Sequence, residues 1–219
     1  MIRFLLLPIL ALLITACGGS SGTEVTSSEA QAATSTELVT ATYNVDAAAS
    51  TVNWEGTKLI GGGHTGILPI TNGTMEINGD KLVGGKFTFD VAKLENTDLT
   101  EEDGKAKLEG HLRSADFFDV EAHPTATFEI TNVSPAPTNS DDYNHDITGN
   151  LTIKGMPRSI TIPAHITINE DRVEATTPDF VIDRTEWGIE YNSGSLDGMA
   201  KDKIINDEIG LKLDLVAMK

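Results

Sequence analysis

The sequence predicts an all-β protein with one short helix, folded as a lipocalin-like antiparallel β-barrel of eight strands. Three observations support this prediction. Apolar residues recur with period two over most of the chain, turn-forming residues separate these stretches, and a single stretch shows helical spacing. Closure into a barrel leaves no sheet edge exposed, so a meander with this many strands is expected to close.

The alternation is clearest at residues 160–168, where apolar side chains occupy every second position. The same pattern occurs at 147–153, 126–130 and 209–217, with shorter versions at 52–54 and 87–91. Turn residues at 78–80, 154–157 and 169–171 predict hairpins between strands. Because one face of each strand is apolar and the other polar, each strand should line the barrel interior with half of its residues.

The predicted helix lies within residues 104–118, which contain no proline and no β-branched residue. Leu108, Leu112 and Ala115 follow helical spacing there. We expect this helix to cover one mouth of the barrel.

The first 16 residues are typical of a lipoprotein signal peptide. Arg3 precedes an apolar run that is too short for a comfortable membrane span, and the run ends at Cys17, the only cysteine. The order Leu13-Ile14-Thr15-Ala16-Cys17 resembles a lipobox, which implies acylation of Cys17 and a membrane anchor. An ordinary secretory signal is the alternative.

Residues 17–42 are rich in Ser, Thr, Ala and Gly, and they lack large apolar runs. This composition predicts a flexible linker after the lipidated cysteine, followed by one domain over residues 43–219. A lone cysteine forms no internal disulfide and no thiolate metal cluster, and the sequence predicts no cofactor and no metal site. The net charge of −17 argues against a nucleic-acid partner.

The residues of the predicted helix and the strand after it resemble the YceI-like lipid/polyisoprenoid-binding family. The resemblance is carried by residues 108–119 (LEGHLRSADFFD), 123–128 (HPTATF), 149–155 (GNLTIKG) and 182–189 (IDRTEWGI), with Tyr191 and the Ser193-Gly194-Ser195 loop behind them. Gly63-His64-Thr65-Gly66 is similar to the lipoprotein branch. Two positions depart from the family pattern: the segment 156–159 after the hairpin glycine, and Leu196 in place of an aromatic residue.

This resemblance implies a barrel whose apolar interior binds a polyisoprenoid, an isoprenoid quinone or a similar long lipid, as a carrier, a store or a sensor. The predicted apolar wall is Phe87, Phe89, Phe128, Leu151, Ile160, Ile162, Ile166 and Leu213. The predicted head-group or rim residues are His64, His111, Arg113, Arg184 and Trp187. Core packing is the alternative for each wall residue, and a surface or rim ion pair is the alternative for Arg184.

Two other functions are compatible with the residues. His111, Asp116, Asp119 and His123 lie close in sequence, so an enzyme using His111, Asp116 and His123 at the barrel mouth is one alternative, although no known catalytic motif is present. A ligand-free structural or stress-related envelope scaffold with a filled interior is the other. Because no known catalytic motif is present, we expect a binding protein rather than an enzyme.

The expected location is the cell envelope. Gly18 after Cys17 provides no aspartate retention signal, so we expect a protein anchored in the outer membrane and facing the periplasm. A homodimer through an exposed barrel edge is also compatible with the sequence.

Overall fold

The computed structural model describes residues 19–33, 38–136, 143–195 and 200–219. It contains one α-helix, α1 (Lys105–Arg113), and two short 3₁₀ turns, Val91–Lys93 and Arg184–Trp187. The strands are β1 (Thr23–Glu24), β2 (Ser27–Glu29), β3 (Ala41–Val45), β4 (Thr51–Lys58), β5 (Gly63–Ile67), β6 (Ile70–Asn78), β7 (Lys81–Asp90), β8 (Glu95–Asn96), β9 (Thr125–Pro135), β10 (His145–Ile153), β11 (Met156–Ile168), β12 (Arg172–Thr176), β13 (Phe180–Asp183) and β14 (Ile205–Met218).

Eight of these strands form a closed antiparallel barrel, which confirms the predicted fold class. The ring runs β3-β6-β7-β9-β10-β11-β12-β14 and returns to β3. The hairpins were predicted at the correct places, since β6 and β7 meet at Gly79 and β10 and β11 meet at Gly155, and both glycines have positive φ. Strand alternation directs one face of every ring strand into a common core.

The C-terminal strand β14 closes the ring. Near its end Ala217 pairs with Val45 of β3 on one side and with Val173 of β12 on the other. The first half of β14 extends past these partners and pairs instead with β4 and β13. The barrel therefore continues upward beyond the ring, towards the end of the molecule where α1 lies.

We call this upper end the mouth. It is formed by α1, by the β4–β5 hairpin tip (residues 59–62), by the β10–β11 hairpin and by the segment after β13. The opposite end carries the β6–β7 and β11–β12 hairpins. There, the buried Tyr43 hydroxyl donates a hydrogen bond to the carbonyl oxygen of Glu170, at 2.8 Å.

We predicted that residues 17–42 form a flexible linker. For residues 19–33 this prediction is wrong, because they pair with strands of the barrel. Residues 19–33, which we call the strap, form part of the upper barrel wall. In the strap, β1 pairs in parallel with β13 and β2 pairs antiparallel with β11. Val25 is buried in the core. The strap fills the gap left where β12 ends and β13 moves over to β14, and it does so mainly by backbone hydrogen bonds, which composition does not reveal.

The helix is shorter than the predicted stretch of residues 104–118. It ends at Arg113, because Ser114 is extended and its N–H donates to the carbonyl oxygen of His111. Phe117 and Phe118 follow in turns and pack near the mouth. The barrel domain begins at Ala41, two residues before the predicted boundary.

Gly149 offers a test of how tightly the barrel wall is packed. A Cβ at this position would overlap the Phe128 ring and would lie 2.7 Å from the carbonyl oxygen of Glu129. Because that oxygen belongs to the β9 backbone, we expect Gly149→Ala to lower the free energy of unfolding by about 2 kcal/mol. Chemical denaturation followed by circular dichroism measures this.

The same substitution in α1 is the matched control. Gly110 has open space around its Cβ position, so Gly110→Ala should raise stability by roughly 0.5–1 kcal/mol through helix propensity. Equal effects of the two substitutions would contradict the packing described for Gly149.

Candidate functional site

The barrel encloses a cavity of about 470 Å³ that opens at the mouth. Its wall is built from alternate residues of the ring strands. Inward-facing residues that are paired across neighbouring strands therefore lie next to each other on the cavity wall. Phe87 pairs with Phe128 and Phe128 pairs with Leu151, and the Phe87 and Phe128 ring centroids are 6.4 Å apart. The volume falls within the range of small-molecule sites in proteins.

All eight residues predicted to form the apolar wall line this cavity. The alternation of apolar and polar residues was sufficient to predict these positions, because it defines which face of a strand points inward. Contact with a lipid stays a prediction for each of them.

Other wall residues were not predicted as such. Met75, Phe180 and Ile182 line the cavity from β6 and β13, and Trp54 lines it from β4. The sequence could have predicted Trp54 as a wall residue, since Val52 and Trp54 are part of the apolar alternation at 52–54. Its indole Nε1 is buried and has no hydrogen-bond partner among the described residues.

The helix covers part of the opening, as expected. Leu108 and Leu112 of α1 line the cavity, and so does His111 between them. The His111 ring meets Phe117 and Tyr191 edge to face, with centroids 4.9 and 4.7 Å away. These contacts form an aromatic cluster at the mouth, with a polar group at its centre.

His64 lies at the start of β5 and also lines the cavity at the mouth. Its Nδ1 is 2.9 Å from Oδ2 of Asp98, and the Thr65 N–H donates to the second oxygen of the same carboxylate. Partial burial acts to raise the pKa of Asp98, but the hydrogen bonds from His64, Thr65 and Asn96 outweigh it and hold the pKa below its usual value. Asp98 therefore ties the loop before α1 to β5.

Arg184 is at the cavity wall, but it is 3% exposed and does not form a surface ion pair. Its guanidinium donates to the carbonyl oxygens of Asn206, Ile189 and Ile205, and to the Asp207 carboxylate at 3.0 Å. Burial lowers the pKa of Arg184, while Asp207 and Asp183 act against this shift. Through these four hydrogen bonds the buried guanidinium fastens the segment after β13 to β14.

Arg113 and Trp187 were predicted as head-group or rim residues of the ligand site. Neither of them lines the cavity. Arg113 turns away and donates to the carbonyl oxygens of Ala92 and Leu94. Trp187 is fully buried, and its Nε1 donates to the carbonyl oxygen of Leu151 at 3.0 Å. Each uses its polar atoms on backbone carbonyl oxygens, so both position neighbouring segments.

The residues of the enzyme alternative are brought together only in part. Nε2 of His111 is 3.1 Å from Oδ2 of Asp116. His123 lies instead beside the β10–β11 hairpin, near Gly155. Within the described ranges, no three His, Cys, Asp or Glu side chains are placed to hold a metal ion.

Three predictions concern residues outside the described ranges: the signal peptide (residues 1–16), the lipidated Cys17 and the departure at Leu196. In the part of the chain that the structure describes, no helix is long and apolar enough to span a membrane. The other departure, at 156–159, does not disturb the hairpin, because Met156 begins β11 directly after a tight turn at Lys154 and Gly155.

The fold and the cavity define a lipocalin-like β-barrel protein with an apolar interior that is open at one end. The chain belongs to the family of the YceI-like domain, which matches residues 43–217.

Relatives and solved structures agree with this assignment. A UPF0312 protein of Pseudomonas aeruginosa (strain LESB58) is 35% identical over 139 residues, which cover 60% of this chain and 61% of the relative. A UPF0312 protein of Azotobacter vinelandii is 40% identical over 87 residues, which cover 36% of this chain and 43% of the relative. The chain thus spans about half the length of these relatives.

Two solved structures share the fold. Burkholderia cenocepacia BcnA superposes with a TM-score of 0.62 at 24% identity, covering 80% of this chain and 99% of BcnA. A polyisoprenoid binding domain from Saccharophagus degradans, described as implicated in plant cell wall breakdown, superposes with a TM-score of 0.58 at 15% identity. That match covers 80% of this chain and 97% of the domain.

The contribution of the Asp98 carboxylate to stability can be tested by its dependence on pH. We expect Asp98→Asn to lower the free energy of unfolding by about 1 kcal/mol at pH 7, because the ionised carboxylate accepts the stronger hydrogen bonds. The folded-state pKa lies below the ordinary 3.8, so this contribution is present above pH 3.8 and is lost as the pH falls through the folded-state value. Denaturation curves at pH 7, 5 and 3 measure the difference.

The second His–Asp pair of the mouth is the control. Asp116 is more exposed than Asp98, so Asp116→Asn should cost less than about 0.5 kcal/mol. A difference between wild type and Asp98→Asn that is as large at pH 3 as at pH 7 would show that the carboxylate charge is not its source.

Proposed function

We propose that the chain is a membrane-anchored envelope lipoprotein that binds a long apolar lipid, such as a polyisoprenoid or an isoprenoid quinone, inside its barrel. The observation that carries the proposal is the cavity of about 470 Å³, whose wall is formed mostly by aliphatic and aromatic side chains. Such a site recognises a ligand by area and shape, at about 25 cal/mol for each Å² of apolar surface removed from water.

The position of the polar groups supports a ligand with one polar end. His64, Arg184 and Tyr191 line the upper part of the cavity, while the residues below them, such as Met75 and Ile166, are apolar. A prenyl chain would lie in the lower part, with its head group near the mouth. Because Arg184 already donates four hydrogen bonds to protein oxygens, His64 is the better head-group partner.

The open cavity favours a binding protein over a scaffold with a filled interior, because close-packed interiors leave few voids larger than a water molecule. The polyisoprenoid binding domain of Saccharophagus degradans, which shares the fold, points in the same direction. A carrier, a store and a sensor would all use the same cavity.

We also propose that Cys17 is acylated and anchors the protein in the outer membrane, facing the periplasm. The support is the apolar run that ends at this single cysteine, and the absence of an aspartate after it. An anchor of several acyl chains holds a protein at a bilayer without a spanning helix.

Native mass spectrometry is the direct test of lipid binding. The chain from Gly18 onward contains every residue that the structure describes. Behind a cleavable secretory signal peptide it can be exported and purified from an envelope fraction without detergent. We expect a stoichiometric extra mass that solvent extraction releases as a long-chain isoprenoid or a related lipid. A protein that shows its bare mass and takes up no added isoprenoid would overturn the proposal and favour the scaffold or the enzyme.

Filling the cavity provides a test by mutation. Ala164 lines the cavity on β11, so Ala164→Phe should place a ring in the ligand's space and lower lipid uptake by about tenfold or more. The neighbouring Thr161 is exposed on the outer face of the same strand. Thr161→Phe should therefore leave uptake within about twofold of wild type. Equal uptake by both variants would place the ligand elsewhere.

A further inference from the structure

The tip of the β4–β5 hairpin exposes two large apolar side chains at the mouth. Leu59 is 40% exposed and Ile60 is 56% exposed. Gly61 and Gly62 follow with open space around their Cβ positions, so no described part of the barrel packs against this side of the tip. Exposed apolar residues are ordinary in a protein, and what distinguishes this pair is its place beside the opening of the cavity.

The tip adjoins the opening of the cavity. Lys58, Gly63 and His64, which flank the tip, all line the cavity, and the Leu59 N–H donates to the carbonyl oxygen of Ile204. Large apolar residues that stay exposed in the described ranges fall into two groups. Leu59, Ile60, Met156 and Tyr191 lie at the mouth, and Leu38, Val39 and Met218 lie at the opposite end.

The path of the strap shows from which side the chain reaches the barrel. Gly19 lies beside Glu208, Ser20 lies beside Gly210, and Gly22 lies against the backbone of Phe180, which pairs with Leu211. Because β14 runs away from the mouth as residue numbers increase, the strap enters from the mouth side. It descends to the level of Phe180 and then returns upward along β13.

The proposed anchor is therefore held near the mouth. Cys17 is two residue steps before Gly19, a reach of about 7 Å at full extension. The Ser20 hydroxyl donates to the carbonyl oxygen of Glu55. Glu55 is four residues before Leu59, the first residue of the hairpin tip, or roughly 13 Å along an extended strand. An acyl chain on Cys17 and the hairpin tip can thus reach the same bilayer surface.

We propose that the mouth of the barrel rests on the bilayer, with Leu59 and Ile60 in the membrane interface, so that the ligand passes between bilayer and cavity without crossing water. This inference rests on the proposed lipid binding and on the proposed anchor. The partner surface is a bilayer of neutral lipids. Glu101, Glu102 and Asp103 precede α1 at the same end, while Lys58 and Lys203 line the opening beside the tip. With acidic and basic groups mixed at the mouth and a net charge of −17 for the chain, apolar contact rather than attraction to anionic lipids would hold the tip at the bilayer.

A position-specific fluorescent probe tests the orientation. Acylation uses the single cysteine, so Gly62→Cys in the full-length lipoprotein provides a unique thiol for an environment-sensitive dye. Asp80→Cys, at the β6–β7 turn of the opposite end, is the control. The mass of the N-terminal peptide first verifies the acyl chains, and the protein is then reconstituted into phosphatidylcholine vesicles.

We expect the dye at position 62 to be at least about threefold brighter in vesicles than in water and to be quenched by spin-labelled lipid near the headgroups, because an apolar hairpin tip partitions into the membrane interface. The dye at position 80 should not change. A dye at position 62 that stays in an aqueous environment on an acylated protein would overturn the docking and leave lipid binding untouched.

Uptake kinetics test the consequence for the ligand. Leu59→Ser combined with Ile60→Ser should slow polyprenol uptake from phosphatidylcholine vesicles by about tenfold. Leu38→Ser combined with Val39→Ser removes an equally exposed pair at the far end, 81% and 48% exposed, and should leave the rate within about twofold.

Polyprenol added from ethanol separates docking from binding. If the tip variant takes up lipid normally from ethanol but slowly from vesicles, the docking inference holds. If it takes up lipid from vesicles at the wild-type rate, the docking inference fails while the proposed function stands. If the wild type takes up no polyprenol from either source, the proposed function fails, and the dye at position 62 still reports the orientation of the mouth.

Discussion

The closure of the ring by β14 is the constraint on which the rest of the structure depends. This strand is 14 residues long and has partners on both sides over most of its length, with β3 and β4 on one side and β12 and β13 on the other. Because closed antiparallel pairing satisfies the backbone within the wall, the interior can be left to side chains alone. The apolar cavity is a consequence of that closure.

The length of β14 also explains the features around the mouth. A strand that extends beyond its partners in the ring needs further strands to pair with, and β4 and β13 provide this pairing for β14. Their shift towards β14 opens a gap beside the upper half of β11, which the strap fills with β1 and β2. Arg184 then fastens the segment after β13 to the start of β14 through the carbonyl oxygens of Ile205 and Asn206. The cavity opening, the strap and the buried arginine thus share one geometric origin.

Most of the barrel could be predicted from period-two patterns, because the inward position of a side chain such as Ile162 or Phe128 is a local property of its strand. The strap was missed for a physical reason. Strands β1 and β2 are held mainly by backbone pairing with distant partners, and only Val25 contributes a large buried side chain. The rim was only partly predictable, since Arg113 and Trp187 carry polar atoms whose direction is set by tertiary contacts. Residue type alone does not distinguish a ligand contact from a bond to a carbonyl oxygen.

The order of pairing along the chain has a consequence for folding. The ring closes only when Ala217 meets Val45, and these residues lie at opposite ends of the domain sequence. The strap is synthesised first, but it pairs with β11 and β13, which follow much later. Such long-range contacts slow folding, because loop-closure entropy must be overcome before the contacts form. The ring can therefore close only after β14 has been synthesised, and the strap can pair only after β11 and β13.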